Sequence, residues 1–433
     1  MTDTPKTPPV GSRELMQQLN AARLIHELRE RGPLSRADLS RAIGLSKPTV
    51  NALVDVVEEL GYITSTSQYG VMKGPGRPGR LYSFRADYGH ILAADIGADK
   101  VIVMIADLNG LVLAKVRVDW HGSARAVDGD LLEIFRNACS AAMEQAKIDS
   151  SRLMNVVVGI PGVLSKDGII SHVPQIPEWE GVALERELSS MFACPVVVER
   201  EVDSFVRAEK WLGCAKDLSN AVLVQLGVGV GAGLLVDGVV FHGANGAAGE
   251  IGSMPIGTVD TTQNTFGQFE WACGGAGIGV RGARAGLRPD GKAILAEAGG
   301  DVDSIDASTV FATARAGDPV AQRIVNEAVD ALGVGIAVLV CAFNPEVVIL
   351  SGGMTMSQDL IVDRLVGQLE TIVPFPPHVV VSDLTDSAVS LGAIKYGLEL
   401  AALWLARVPE LGASPTRYAP DPGTVLLRRR IKK

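Results

Sequence analysis

From Arg13 to Arg31 apolar residues recur every three or four positions, at Leu15, Leu19, Ala22, Ile25 and Leu28. That spacing predicts an amphipathic helix. A second helical run follows Ser35, with Asp38 three residues on as an N-cap pair and Leu39 and Ile43 on one face. Gly44 interrupts it, the residue a tight turn between helices prefers. Ser46 caps a third helix, and Pro48 stands in its first turn, where a missing N–H costs nothing. Val50, Leu53, Val54, Val57 and Leu60 repeat at helical spacing and face a core. Outward near its start lie Lys47, Thr49, Asn51 and Ala52, small, polar or basic.

The period then changes. Tyr62–Thr66 and Arg80–Phe84 are short β-prone runs, joined by a Gly- and Pro-rich stretch with Lys73 and Arg77. Three helices and a basic-tipped hairpin make a winged helix-turn-helix. Ser46, Lys47, Thr49 and Asn51 are then placed to enter a major groove, and Lys73, Arg77 and Arg80 to serve a wing along phosphates or in a minor groove. The bland alternatives are an ordinary helix hairpin or a winged helix used for protein contact, followed by a flexible linker.

From Tyr88 the pattern becomes strand, glycine turn, strand, Asn109-Gly110 turn, strand. It returns about 130 residues later as SNAVLVQLGVGVGAGLLVDGVVFHG, with Asp237-Gly238 at the turn. A repeated unit of this kind predicts two similar α/β lobes with a cleft between them. Between the copies, NVVVGIPGV at 155–163 reads as a buried strand entering a turn, and the Pro-rich loop after it carries Gln175 and Trp179. Glu199, Arg200, Glu201 and Asp203 gather where a strand meets a helix, an edge that meets ligands in α/β lobes. A plain helix start, where acids favour the dipole, would look the same. Glu250 sits in a glycine-rich loop, Glu270 just before an apolar turn, and Ala342–Met354 reads as a strand between Asn-Pro and Gly-Gly. Residues 387–407 are expected as a final helix.

Length and charge refine this picture. The chain has 433 residues, enough for two or three domains. Its formal net charge of -9 argues against a nucleic-acid binder as a whole. The charge is uneven, however: through Arg85 there are 12 Lys and Arg against 8 Asp and Glu, and beyond it 28 against 41. A basic head on an acidic body fits a DNA-reading module joined to something else. The five cysteines form no C-x-x-C pair, which predicts neither a disulfide frame nor a zinc site. No membrane-length apolar run and no signal-peptide pattern is evident, so a cytoplasmic protein is expected. Residues 1–12 and 411–433 read as disordered tails, the latter ending in RRRIKK, a solvated tail or a further DNA contact.

The order of motifs resembles the ROK family (repressor, open reading frame, sugar kinase), specifically its transcriptional-regulator branch. The pieces are the winged head, GRPGR at 76–80, ADIGADK at 94–100, GIPGV at 159–163, EREVD at 199–203, GVGVGAG at 227–233, GANGAAGEIG at 243–252 and FNPEVVILSGG at 343–353. The resemblance implies a winged head over 13–86 and, over 87–410, a two-lobed actin/hexokinase-like (ribonuclease H-like) α/β body. It also implies a homodimer or homotetramer that reads paired operator half-sites in double-stranded DNA.

Departures from the kinase members then matter. Ala98 and Asp99 replace the Gly and Thr of the family's D-I-G-G-T-K loop, which puts a carboxylate where phosphate oxygens approach. Val228 replaces a Thr of the second phosphate loop. Glu201 stands at the general-base aspartate of E-N-D-A-N, one methylene longer, and Arg200 and Asp203 replace its two asparagines. A body without kinase activity and without a cofactor is expected. Ser253 and Gln268 stand where the family has zinc ligands, Cys273 falls beyond that segment, and no metal is expected. Glu250 and Glu270 match sugar-binding residues, and Gln175 stands where an Asn is usual. Arg200 in that pocket would suit an anionic group, as of a sugar phosphate, unless it pairs with Glu199 or Glu201. Gln175, Arg200, Glu201, Glu250, Ser253 and Glu270 are therefore the expected effector residues. Two rivals remain open: an ATP-dependent sugar kinase with an appended winged head, and a regulator whose body only assembles.

Overall fold

A computed structural model describes residues 13–69, 79–97, 99–120, 127–165, 168–173, 176, 179–256 and 267–408. The tails at 1–12 and 411–433, the wing-tip Lys73 and Arg77, Ala98 and Gln175 lie outside the described residues. The chain packs as two compact units. Unit 1 takes the described residues up to Val158, Glu185–Val198 and those from Ala393, while unit 2 takes Gly159–Leu184 and Glu199–Gly392.

Unit 1 begins with the head: α1 (Arg13–Arg31), β1 (Leu34–Ser35), α2 (Arg36–Ile43), α3 (Lys47–Glu59), β2 (Ile63–Tyr69) and β3 (Arg80–Phe84). The strands form a three-stranded sheet in the order β1-β3-β2. Ser35 and Asp38 make a reciprocal capping box on α2. Gly44 ends that helix with φ 69°, a left-handed conformation that costs glycine little. Leu39 and Ile43 from α2 and Val50, Leu53, Val54 and Val57 from α3 are buried, as their spacing requires.

The head does not separate from the lobe after it. That lobe holds β4 (His90–Ile96), β5 (Lys100–Asp107), β6 (Val112–Asp119), α4 (Val127–Ala146) and β7 (Leu153–Ile160). β8 (Val163–Leu164) and β9 (Ile170–His172), which belong to unit 2, come next in the chain, then α5 (Leu184–Ser189) and β10 (Val196–Arg200). The sheet order is β10-β7-β4-β5-β6, and β4 and β7 are buried along their whole length. The Asn109-Gly110 hairpin forms between β5 and β6 as a bulged turn, with the Asp107 carboxylate accepting from the N–H groups of Asn109 and Leu111.

Unit 2 holds α6 (Glu201–Leu212), β11 (Ala221–Leu226), β12 (Val230–Val236), β13 (Val239–Val240), α7 (Gln268–Cys273), α8 (Gly275–Gly286) and α9 (Lys292–Glu297). It continues through α10 (Ala307–Arg315), α11 (Pro319–Phe343), β14 (Val347–Ser351), α12 (Gln358–Ile372) and β15 (His378–Val381). Its sheet runs β13-β12-β11-β14-β15, with β11, β14 and β15 parallel. Taken in chain order, both sheets place their strands as fifth, fourth, first, second, third, so the repeat in the sequence is a repeat of topology. Asp237 and Gly238 both have positive φ, 51° and 74°, which is the two-residue turn whose twist suits a hairpin.

α13 (Ala388–Leu405) is the last element among the described residues and ends in unit 1. There the Asn155 amide donates to the Gly397 carbonyl at 3.0 Å. The Trp404 ring lies 6.0 Å from that of Tyr62 and 6.4 Å from that of Tyr88, and the two tyrosines meet edge-on at 4.8 Å.

One sequence expectation is corrected here. α11 and α13 are each long and apolar enough to cross a membrane, although no such run was evident from the sequence. Their most apolar windows are 61% and 56% buried inside the protein, as core helices are.

Candidate DNA interface and effector site

The Ser46 hydroxyl accepts from the Thr49 N–H and also bonds the Thr49 hydroxyl, at 2.8 Å. Ser46 and Thr49 therefore hold the start of α3 together, and Thr49 is half-buried. Lys47 and Asn51 are exposed there, and Arg80 is exposed at the start of β3. A residue the sequence reading missed fixes this surface. Arg36 donates to the Asp55 carboxylate of α3 at 2.5 Å and to the Tyr82 hydroxyl of β3 at 3.0 Å, with its guanidinium over the Tyr82 ring. One side chain of α2 thus ties the third helix to the wing strand. Arg36 follows a cap residue and belongs to no periodic face, so only the fold shows its partners.

The second constellation lies in unit 2, where β10 runs into α6. Arg200 is 2% exposed. Its Nε and Nη2 donate to the two Asp203 oxygens at 3.1 and 2.7 Å. Nη1 donates to Glu250 at 2.9 Å, and Nη2 also to the Ala248 carbonyl at 2.6 Å. Four of the five guanidinium N–H groups are consumed inside the protein. This corrects the expectation that Arg200 receives an anionic group or pairs with Glu199 or Glu201. Glu199 is instead held by Arg207 at 2.7 and 2.8 Å and by the Ser204 hydroxyl.

Asp203 has a second partner, the Nδ1 of His242 at 3.0 Å. Burial alone would raise the Asp203 pKa; the bond to His242 and the charge of Arg200 outweigh it and hold the carboxyl below its usual range. Arg200, though buried, is held above its ordinary value by Asp203 and Glu250. His242 is half-exposed at its side chain and was not singled out from the sequence, where it stands as a lone His after an apolar strand.

The remaining expected residues are distributed around this corner. Glu250 keeps 31% of its side chain exposed. Ser253, three residues on, is exposed. Glu270 of α7 lies against Gly252, where a Cβ would come 2.7 Å from its Oε2 and 2.9 Å from the Val230 carbonyl oxygen, so glycine lets the loop sit between that carboxylate and β12. Arg200, Asp203, His242 and Glu250 are thus directly linked, with Ser253 bonded through its backbone N–H to the Glu250 carbonyl and Glu270 against Gly252. Glu201 accepts from the Gln225 amide of β11 at 3.0 Å.

The two glycine loops are occupied by the protein's own groups. The Gly97 N–H donates to Lys100, and the backbone oxygens of Gly97 and Asp99 receive the Trp120 indole and backbone N–H. In the second loop the carbonyls of Gly227 and Val228 accept from the N–H groups of Gly275 and Ala276 at the start of α8, and Val228 is 65% exposed.

Known proteins match both parts. Residues 91–398 match the ROK family model and residues 18–70 the MarR family model. The xylose repressor of Caldicellulosiruptor bescii is 27% identical over 399 residues, 89% of this chain and 96% of that protein. The glucokinase of Thermotoga maritima is also 27% identical, over 70% of this chain and 95% of its own. Among solved structures, a ROK family transcriptional regulator, a homologue of the E. coli MLC protein, aligns with a TM-score of 0.70. It is 24% identical over 90% of this chain and 99% of its own. A Streptomyces griseus glucokinase solved with glucose and AMPPNP aligns at 0.59, 23% identical over 71% of this chain and 99% of its own. The kinases match the body alone; the regulators match the body together with the head.

Proposed function

We propose a transcriptional regulator: the chain belongs to the ROK family, and its winged head makes it a sequence-specific DNA-binding protein, in our reading a repressor. The observation that carries this is the start of α3. A capped helix presents Lys47 and Asn51 to solvent, while Arg36 holds that helix against the wing strand. Lys47 suits a phosphate and Asn51 a base edge, adenine above all. A homodimer or homotetramer would set two such helices on paired half-sites, and a protein whose partner is operator DNA would work in the cytoplasm.

The body is read as an effector sensor without kinase activity. Three features support this: the exposed Asp99 carboxylate at the first loop, the loop carbonyls of Gly227 and Val228 tied to α8, and Glu201 engaged by Gln225. With the Arg200 guanidinium enclosed by Asp203 and Glu250, what the corner still offers is carboxylate, hydroxyl and imidazole. Those groups accept from or donate to sugar hydroxyls, and the carboxylates among them repel phosphate. A neutral sugar is therefore favoured over a sugar phosphate. Ligand would act by binding one arrangement of the protein more tightly than another.

Fluorescence anisotropy on DNA upstream of the protein's own gene, against random DNA and at several salt concentrations, tests the regulator reading. Binding about a thousandfold tighter than to random DNA is expected. If the own-gene DNA shows no preference, selection from a random DNA library decides: failure to enrich any sequence there would sink the reading.

A further inference from the structure

Lys47, Asn51 and Asp55 stand four residues apart on α3 and are all exposed, so they form one stripe, each a turn beyond the last. Lys47 and Asn51 open the stripe with a cation and an amide. Its third member is an acid, and the Asp55 side chain is 63% exposed. A bare carboxylate in that place would face phosphate oxygens of like charge. It is not bare. Arg36, the first residue of α2, donates to it from Nη2 at 2.5 Å. The same guanidinium donates from Nε to the Tyr82 hydroxyl at 3.0 Å and lies 5.2 Å from the centre of that ring. Tyr82 is 3% exposed and stands two residues after Arg80 in β3. Alternation along a strand puts these two on one face of the sheet.

We infer that Arg36 is a positioning residue of the DNA interface, which sets operator preference without itself reading a base. The inference rests on the regulator reading. Stability is a poor account of the contact. The Arg36 and Asp55 side chains are 31% and 63% exposed, and an ion pair so open to water adds little to folding. What the contact does is join the two parts of the head that must meet DNA together, the stripe of α3 and the wing strand. Phosphate contacts fix how a protein sits on the duplex, and base contacts form only in that register. The angle between recognition helix and wing therefore decides whether Asn51 reaches its base. The residue type matters as well. A guanidinium is a planar fork, and here its Nη2 and Nε hold two partners on two different elements. A lysine amine on a flexible stem carries the same charge but fixes no such angle. Arg36 has a second effect: it neutralises Asp55, the one acid among the three residues of the stripe, and so removes a repulsion from the surface that approaches phosphate.

The test is fluorescence anisotropy of full-chain variants on a DNA sequence selected from a random library, against random DNA. R36K keeps the charge and loses the fork. It should bind random DNA with the wild-type salt slope, yet lower the ratio of selected to random binding by about tenfold, the scale of one lost base contact. R36A also uncovers the Asp55 carboxylate and should weaken both kinds of DNA further. R36A/D55A should recover the random-DNA part of that loss and not the preference. Hydrogen exchange at Leu81–Phe84 should quicken in R36K and R36A, while the thermal melt stays within the wild-type range. If R36A does not fold, Y82F removes one acceptor alone and should shift the same readouts by less. Wild-type preference in R36K would overturn the inference. So would a loss in R36A that falls equally on selected and random DNA, with the salt slope reduced by about one, because that is the mark of a plain phosphate contact. If the wild type prefers no sequence at all, the regulator reading falls, and exchange at β3 still judges the tie: unchanged exchange in both R36K and R36A would overturn it.

Discussion

Arg200 holds both oxygens of Asp203, at 2.7 and 3.1 Å, from a position three residues earlier at the start of α6, and both residues are 2% exposed. The pair is not open to solvent. It turns what the sequence offers as a ligand-facing cation into a fixed strut that also reaches Glu250 and Ala248 in the neighbouring loop.

Removing one half of the strut strands the other. R200A leaves Asp203 buried with only His242 as a polar partner, and breaking a buried pair costs about 3–5 kcal/mol. Urea denaturation of the full chain should show a midpoint lowered accordingly. R200M/D203L, which removes both charges, should recover much of that loss; equal stability of R200A and wild type would contradict the strut.

The same pair sets an acid limit. Because Asp203 ionises more readily folded than unfolded, its contribution is fully present above the ordinary carboxylate pKa. It is lost as pH falls through the depressed folded value. D203N should therefore flatten the stability profile below about pH 4, while leaving its slope near neutrality unchanged. Denaturant midpoints measured from pH 2.5 to 7 decide this.

At the head the two exposed residues should fail differently. N51A is expected to weaken operator binding by about 1–3 kcal/mol and to relax the preference at one base. K47A should weaken specific and random DNA alike and reduce the salt slope by about one. Anisotropy on an operator and its single-base variants separates them.

Tyr62, Tyr88 and Trp404 join the head to the last helix of unit 1. W404A removes the ring that both tyrosines face. Trp404 is half-buried, so a loss of about 2 kcal/mol is expected, below the full cost for a buried aromatic. Hydrogen exchange should show the loss at Tyr62 and β2 before it shows in unit 2. Uniform loosening across both units would refute a local role.

No ADP is expected from ATP across a panel of pentoses and hexoses, and titration calorimetry should show binding of a neutral sugar in preference to its phosphate. Sugar-dependent ADP release abolished by E201A would overturn the kinase-dead reading and favour the kinase alternative.

Much of this protein was legible without coordinates. The three helices of the head were readable because each carries its own start and stop signals: Ser35 with Asp38, Gly44, then Ser46 with Pro48. Local hydrogen bonds within four residues satisfy these caps, so no distant partner is needed to recognise them. The doubled strand pattern was readable because hairpin turns such as Asp237-Gly238 are also local. Tertiary structure decided the rest. α11 escaped the sequence reading in its second half, where Ala331–Phe343 holds no charged residue and so shows little of the polar period that marks an amphipathic helix. Arg36 on Asp55 and Tyr82 joins residues 19 and 46 positions apart, and Arg200 on Glu250 joins residues 50 apart. A charge's residue type is written in the chain, but its partner depends on which segments the fold brings within about 3 Å of it. For Arg200, that partner turned out to be the protein itself.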